Sequence, residues 1–272
     1  MEREPTEQHK TSGLDMKETL EWYRQSKSEI PPIQETTFPY PIEKKKLIEL
    51  SDKELGGLLS LFPENARRRS ILRKVVGQPI TWFHRDSTGK KQIPTTNPAD
   101  ALSPTAIIPS YANTEPWTRQ VPAADVWLYQ IPQNAVPEED IRRLVLAQGF
   151  IHEVGHTIIY PSLYIKDNTL KFPDGKIING LEAVLHFAKL AEQHPPISQY
   201  ASTFRGDNNK FESSDPEYDV KVAINEELAE TIAAHLCGFA YCSDDVRGKN
   251  PFADRPEIKA FVKNFLNAEL IS

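Results

Sequence analysis

Residues 137–161 read PEEDIRRLVLAQGFIHEVGHTIIYP, and this stretch decides the fold. Proline at 137 followed by acids at 138–140 opens a helix. Proline lacks an N–H that the first turn has no use for, and carboxylates favour the positive end of the helix. The spacing predicts a helix over 138–160, stopped by Pro161. Leu144, Leu146, Phe150, Ile151, Val154 and Ile158 make it apolar on almost every face, so it belongs inside the body. Within that wall stand His152, Glu153 and His156. Such a polar set is costly to bury unless it has partners.

His152-Glu153-Val154-Gly155-His156 is an H-E-x-x-H motif. Residues i and i+4 of a helix lie one above the other, so both imidazoles can hold one metal ion from a single rigid face. Zinc suits the set because it takes nitrogen and carboxylate ligands tetrahedrally and can keep one position open. Glu153 can then take a proton from the attacking water and pass it to the leaving amine. The competing reading is a pair of surface histidines with a solvated glutamate, and the apolar surroundings count against it.

A third protein ligand is needed. No G-x-x-H follows His156, so the metzincin pattern is absent. The candidates lie on a second apolar helix expected over about 219–239, in Ile224-Asn225-Glu226-Glu227-Leu228-Ala229-Glu230. Glu226 and Glu230 differ by about 40° around such a helix. Glu226 as ligand, with Glu230 accepting from the N–H of a ligand imidazole, is an arrangement zinc sites favour. Glu227 as the ligand is the variant of this reading, and a solvated acidic stripe is the alternative to it. His186, His194 and His235 sit on apolar helices and read as structural residues.

Taken together, H-E-x-x-H on one helix and N-E-x-x-A-E on a later one resemble the gluzincin peptidases. The likeness is closer to the catalytic domain of anthrax lethal factor and its bacterial relatives. Those proteins carry S-x-Y-[AG] shortly before E-x-x-A-E, and Ser198-Gln199-Tyr200-Ala201 is similar to it. The resemblance covers roughly residues 125–270, including a proline-started C-terminal helix from Pro256. It implies one zinc on His152, His156 and Glu226, with Glu230 behind a ligand and Tyr200 hydrogen-bonding the developing oxyanion. One spacing departs from the family. Residues 204–222 form an insertion between Tyr200 and Glu226, and Tyr218 within it can take the place of Tyr200.

The remaining sequence frames this centre. Residues 1–45 are polar, with prolines at 31, 32, 39 and 41, and read as a flexible leader or an extended strap. Residues 46–272 then form one metallopeptidase domain, with 46–160 as its upper half and a helical lower half at 161–272. A helical pattern is expected from Glu43 to about Val76, broken at Pro63. Short strands follow near 79–83 and 106–109, and the clearest strand is Ala124 to Ile131. Its flanking Pro122 and Pro132 suggest a sheet edge on which an extended substrate could pair. A turn at Pro173-Asp174-Gly175, a helix over 181–193 and a last helix capped by Asp254 with Glu257 complete the pattern. The fold class expected is α+β and zincin-like: a small mixed sheet, the active-site helix and a helical C-terminal half.

Composition excludes several classes. Apolar residues at 39 % suffice for a core, and the net charge of −6 with no basic stripe argues against a nucleic-acid partner. No run approaches the roughly 18 apolar residues of a membrane span, and residues 1–22 hold no secretory h-region. The expectation is a cytoplasmic protein or one exported by a leaderless route. Two cysteines, Cys237 and Cys242, make no disulfide framework. The function expected is hydrolysis of a protein or peptide substrate. The alternatives are a binding protein that keeps zinc for stability and a metallohydrolase acting on a non-peptide amide.

Overall fold

A computed structural model describes residues 34–44, 49–78, 82–85, 92–95, 105–109, 123–131, 133, 137–211, 220–238 and 251–271. In chain order the elements are β1 (Ile42–Lys44), α1 (Asp52–Ser60), α2 (Glu64–Arg69), β2 (Leu72–Gln78), β3 (Trp82–Arg85), β4 (Gln92–Thr95), β5 (Thr105–Pro109) and β6 (Ala124–Tyr129). They continue with α3 (Glu139–Tyr164), β7 (Thr169–Lys171), β8 (Ile177–Asn179), α4 (Gly180–Ala191), α5 (Gln199–Ser202), α6 (Val220–Cys237), α7 (Pro256–Asn267) and β9 (Glu269–Leu270). The main sheet has the order β1-β2-β6-β5, parallel except for β5, which runs antiparallel to β6. A β3–β4 hairpin and a small β8-β7-β9 sheet stand apart from it. The protein is therefore α+β, with small sheets and a helical second half.

Four sequence expectations are corrected. The helical pattern over 43–76 contains two strands, β1 and β2, around α1 and α2. Val75 and Val76 are both buried, so β2 is covered on both faces and lacks the alternation that marks a strand. Second, β6 is not an edge strand, because it pairs with β2 on one side and β5 on the other. Pro122 and Pro132 lie outside the described residues. The edges of the main sheet among the described residues are β1 and β5, and β5 carries Pro109 at its end.

Third, α3 runs through Pro161 to Tyr164. Proline cannot donate to the carbonyl of Thr157 four residues back. That carbonyl instead accepts from the Ile71 N–H at 3.1 Å, a donor supplied by the segment entering β2. The helix loses nothing at that turn. Fourth, Asp254 does not cap α7. The N-cap is Arg255, whose side chain donates to the Pro195 carbonyl rather than capping the helix, and Glu257 pairs with His194. The turn at Pro173-Asp174-Gly175 does form, with Gly175 at φ 85°, and closes the β7–β8 hairpin.

Residues 34–40 run extended across α1, and residues 1–33 lie outside the described residues. The Thr36 N–H donates to the Lys53 carbonyl at 2.9 Å. Gly56 admits this crossing, since any Cβ there would collide with the Thr36 carbonyl. Phe38 meets Phe150 of α3 edge-on, and β1 then enters the main sheet, so the sheet begins before residue 46.

The core sits between α3, the main sheet and α6. Leu228 and Ile232 of α6 and Val154 and Ile158 of α3 are fully buried. Each such side chain contributes about 1.5–3 kcal/mol. The contact between α3 and α6 is the most extensive between helices, and it positions the site.

Candidate metal centre

Gly155 of α3 faces Ala229 of α6, and a Cβ added at 155 would lie 3.5 Å from the Ala229 Cα. Two small residues at the crossing let the helix axes approach closely. His152, three residues before Gly155, and His156, directly after it, point at Glu226. The two Nε2 atoms are 3.0 Å apart, and the Glu226 Oε2 lies 3.4 Å from each. These three donors are the one group among the described residues that could hold a metal ion.

The residues fit zinc on two counts. Tetrahedral bonds of about 2.0–2.1 Å space neighbouring ligands by about 3.3 Å, which is the scale of this triangle. Two imidazole nitrogens facing each other at 3.0 Å also need a cation or a shared proton between them. The set of two nitrogens and one carboxylate oxygen suits zinc better than calcium or magnesium, which prefer oxygen throughout.

The field at this point favours positive charge. Burial works against a charged His152, yet hydrogen bonds to Glu226 and Glu230 and the charges of Glu230 and Glu153 raise its pKa well above the ordinary value. Burial likewise opposes a charged Glu226, but the flanking His156 and His152 hold its carboxyl far below the usual range. Glu230 approaches from behind, its Oε1 2.8 Å from the His152 Nδ1, although that nitrogen has no well-aligned hydrogen bond. The Nδ1 of His156 is buried without a partner among the described residues. Glu153 is buried beside the pair.

Tyr200 joins this group. Its hydroxyl donates to the Glu226 Oε2 at 3.2 Å, and its ring centroid is 6.0 Å from that of His152. The local cause is Ser198, whose Oγ accepts from the Ala201 N–H and caps the one-turn helix α5. The Ser-x-Tyr-Ala pattern is thus a capped turn that aims a phenol. Tyr218 lies outside the described residues.

Glu227 is not available as a ligand. Both of its oxygens are taken at 2.6 Å by the Nε and Nη2 of Arg205, and both side chains are 2 % exposed. Burial raises the pKa of Glu227, and Arg205 pulls it back. The other histidines stay away from the centre. His186 meets Phe261 edge-on, His235 meets Phe252, and His194 pairs with Glu257. Burial pushes the Cys237 thiol up to about 12, which leaves it unreactive near neutral pH.

The sequence reading missed two contributors. Tyr160 stacks on His156 with ring centroids 5.9 Å apart, a contact that i, i+4 spacing could have indicated. Arg205 had no signal near it in sequence. Comparisons of the chain with protein-family models, with curated proteins and with solved structures find no match.

Proposed function

We propose that this chain is a zinc-dependent endopeptidase of the gluzincin type, similar to the catalytic domain of anthrax lethal factor. The observation that carries the reading is the convergence of the His152 and His156 Nε2 atoms and the Glu226 Oε2 within 3.0–3.4 Å, with Glu153 buried next to them. Zinc held there acts as a Lewis acid, making water acidic near neutral pH and polarising a carbonyl. Glu153 takes the proton from the attacking water and delivers it to the leaving amine. Tyr200 donates its hydroxyl to the oxyanion that develops on the carbonyl oxygen. Glu230, its Oε1 2.8 Å from the His152 Nδ1, would orient that imidazole so that its Nε2 faces the ion.

Among the described residues the group has three protein ligands, and a three-ligand set supports catalysis over a purely structural site, because a structural zinc is usually closed by a fourth. A substrate lying as an extended strand fits β5, one of the two edge strands of the main sheet among the described residues and one that packs against α3. That edge favours a peptide over a small amide. The test is a defined peptide library incubated with the purified chain, with metal content measured alongside. Cleavage should disappear on chelation and return with one equivalent of zinc. A zinc-loaded protein that cuts no library peptide would sink the peptidase reading.

A further inference from the structure

We infer that Arg205, through Glu227, is a positioning residue that sets the Tyr200 hydroxyl over the metal centre; this rests on the peptidase reading above. Glu226 and Glu227 are neighbours on α6, so whatever grips Glu227 is referenced to the candidate ligand itself. Two groups grip it. The Ile197 N–H donates to the Glu227 carboxylate from three residues before Tyr200. The Arg205 guanidinium forks onto both oxygens at 2.6 Å from five residues after it. The turn that carries Tyr200 is therefore pinned on both sides to the residue beside Glu226.

Arg205 is itself held. Its Nη1 donates to the Asn209 carbonyl at 2.8 Å, and its guanidinium lies 4.0 Å above the Phe211 ring. Asn209, at φ 61°, donates from Nδ2 to the carbonyls of Glu192 and His194 at the end of α4. The arginine thus joins α4, the Tyr200 turn and α6 at one buried point. A planar fork serves this purpose where a lysine would not, because two parallel bonds fix orientation as well as distance. The Tyr200–Glu226 bond at 3.2 Å spans the same seam, and it is longer than the 2.6 Å bonds that hold the seam in register.

The test separates position from stability. Arg205→Met with Glu227→Met replaces a buried ion pair by apolar groups, a change that often leaves folding intact. Arg205→Lys is the second variant, and it decides the matter if the double one does not fold. In metal-free protein labelled with 13C at the tyrosine ring, the Tyr200 resonance is assigned from its loss in Tyr200→Phe. The expected result is that this resonance moves toward a solvent-exposed phenol in either variant while the bulk of the spectrum stays. With zinc, kcat should fall by about 10–100-fold with little change in KM, and the same replacement in a Tyr200→Phe background should cost less than about 3-fold. An unmoved Tyr200 resonance overturns the proposal. So does an equal loss of kcat in the two backgrounds, which would mark a merely structural residue. If the wild-type chain cleaves nothing, the peptidase reading fails, and the resonance still decides whether Arg205 places Tyr200.

Discussion

Two buried charged clusters stand side by side on α6, one around Glu226 and the other around Glu227, and they are finished differently. Around Glu227 both oxygens are taken by the Nε and Nη2 of one guanidinium. Around Glu226, two imidazoles and a phenol converge on one oxygen while the imidazole nitrogens crowd each other at 3.0 Å. Proximity and burial are common to both. What distinguishes the two is that the Glu226 set could hold a metal ion, whereas both oxygens of Glu227 are already taken by Arg205.

That contrast can be broken at several points, beginning with the greatest effect. Glu153→Gln should retain zinc and the native fold while peptidase rate drops by about 10²–10⁴-fold, since an amide cannot take the proton. Steady-state kinetics beside metal analysis checks it, and comparable turnover would remove Glu153 from the chemistry. Next come the neighbouring glutamates. Glu227→Ala should destabilise the protein by about 3–5 kcal/mol, because it strands a buried guanidinium, while the Glu226 side keeps its metal-binding set. Glu226→Ala should do the reverse, losing zinc with a smaller change in unfolding midpoint. Denaturant unfolding and zinc titration on the two variants give the answer, and matching profiles would erase the distinction.

Tyr200→Phe is third. One lost oxyanion donor costs about 2.7–4 kcal/mol in the transition state, so kcat should fall by roughly 10²–10³-fold with KM nearly constant. A rise in KM alone would show that the hydroxyl serves substrate binding instead. Gly155→Ala should have the smallest effect. The new Cβ would lie 3.5–3.7 Å from Ala229 and Ile232, ordinary packing distances. Helix propensity alone then favours the variant by up to about 1 kcal/mol. Thermal unfolding should show an unchanged or slightly higher midpoint with zinc retained. Loss of zinc would mean that the helix crossing tolerates no added atom.

Local geometry explains which parts could be read in the sequence. His152 and His156 follow from the helical repeat, and Glu226 with Glu230 from the same repeat on α6. Tyr200 came from a short pattern whose physical content is a serine cap. Arg205 was invisible because its partner is 22 residues away across a loop, and no periodicity links the two. The helical pattern assigned to 72–76 failed because a strand buried on both faces has no alternation to show. The edge assigned to 124–131 failed because prolines beside a strand say little about its pairing.

The proline within α3 has a consequence for how the molecule opens. The Ile71 N–H is bonded to the Thr157 carbonyl, so the last turns of the helix and the start of β2 share one hydrogen bond. Neither can fray alone without exposing a polar group of the other. In amide exchange, Ile71 should therefore keep pace with the slowest protons of α3 rather than with its own loop. The segment bearing His156 would then be released to solvent only when sheet and helix separate as one unit.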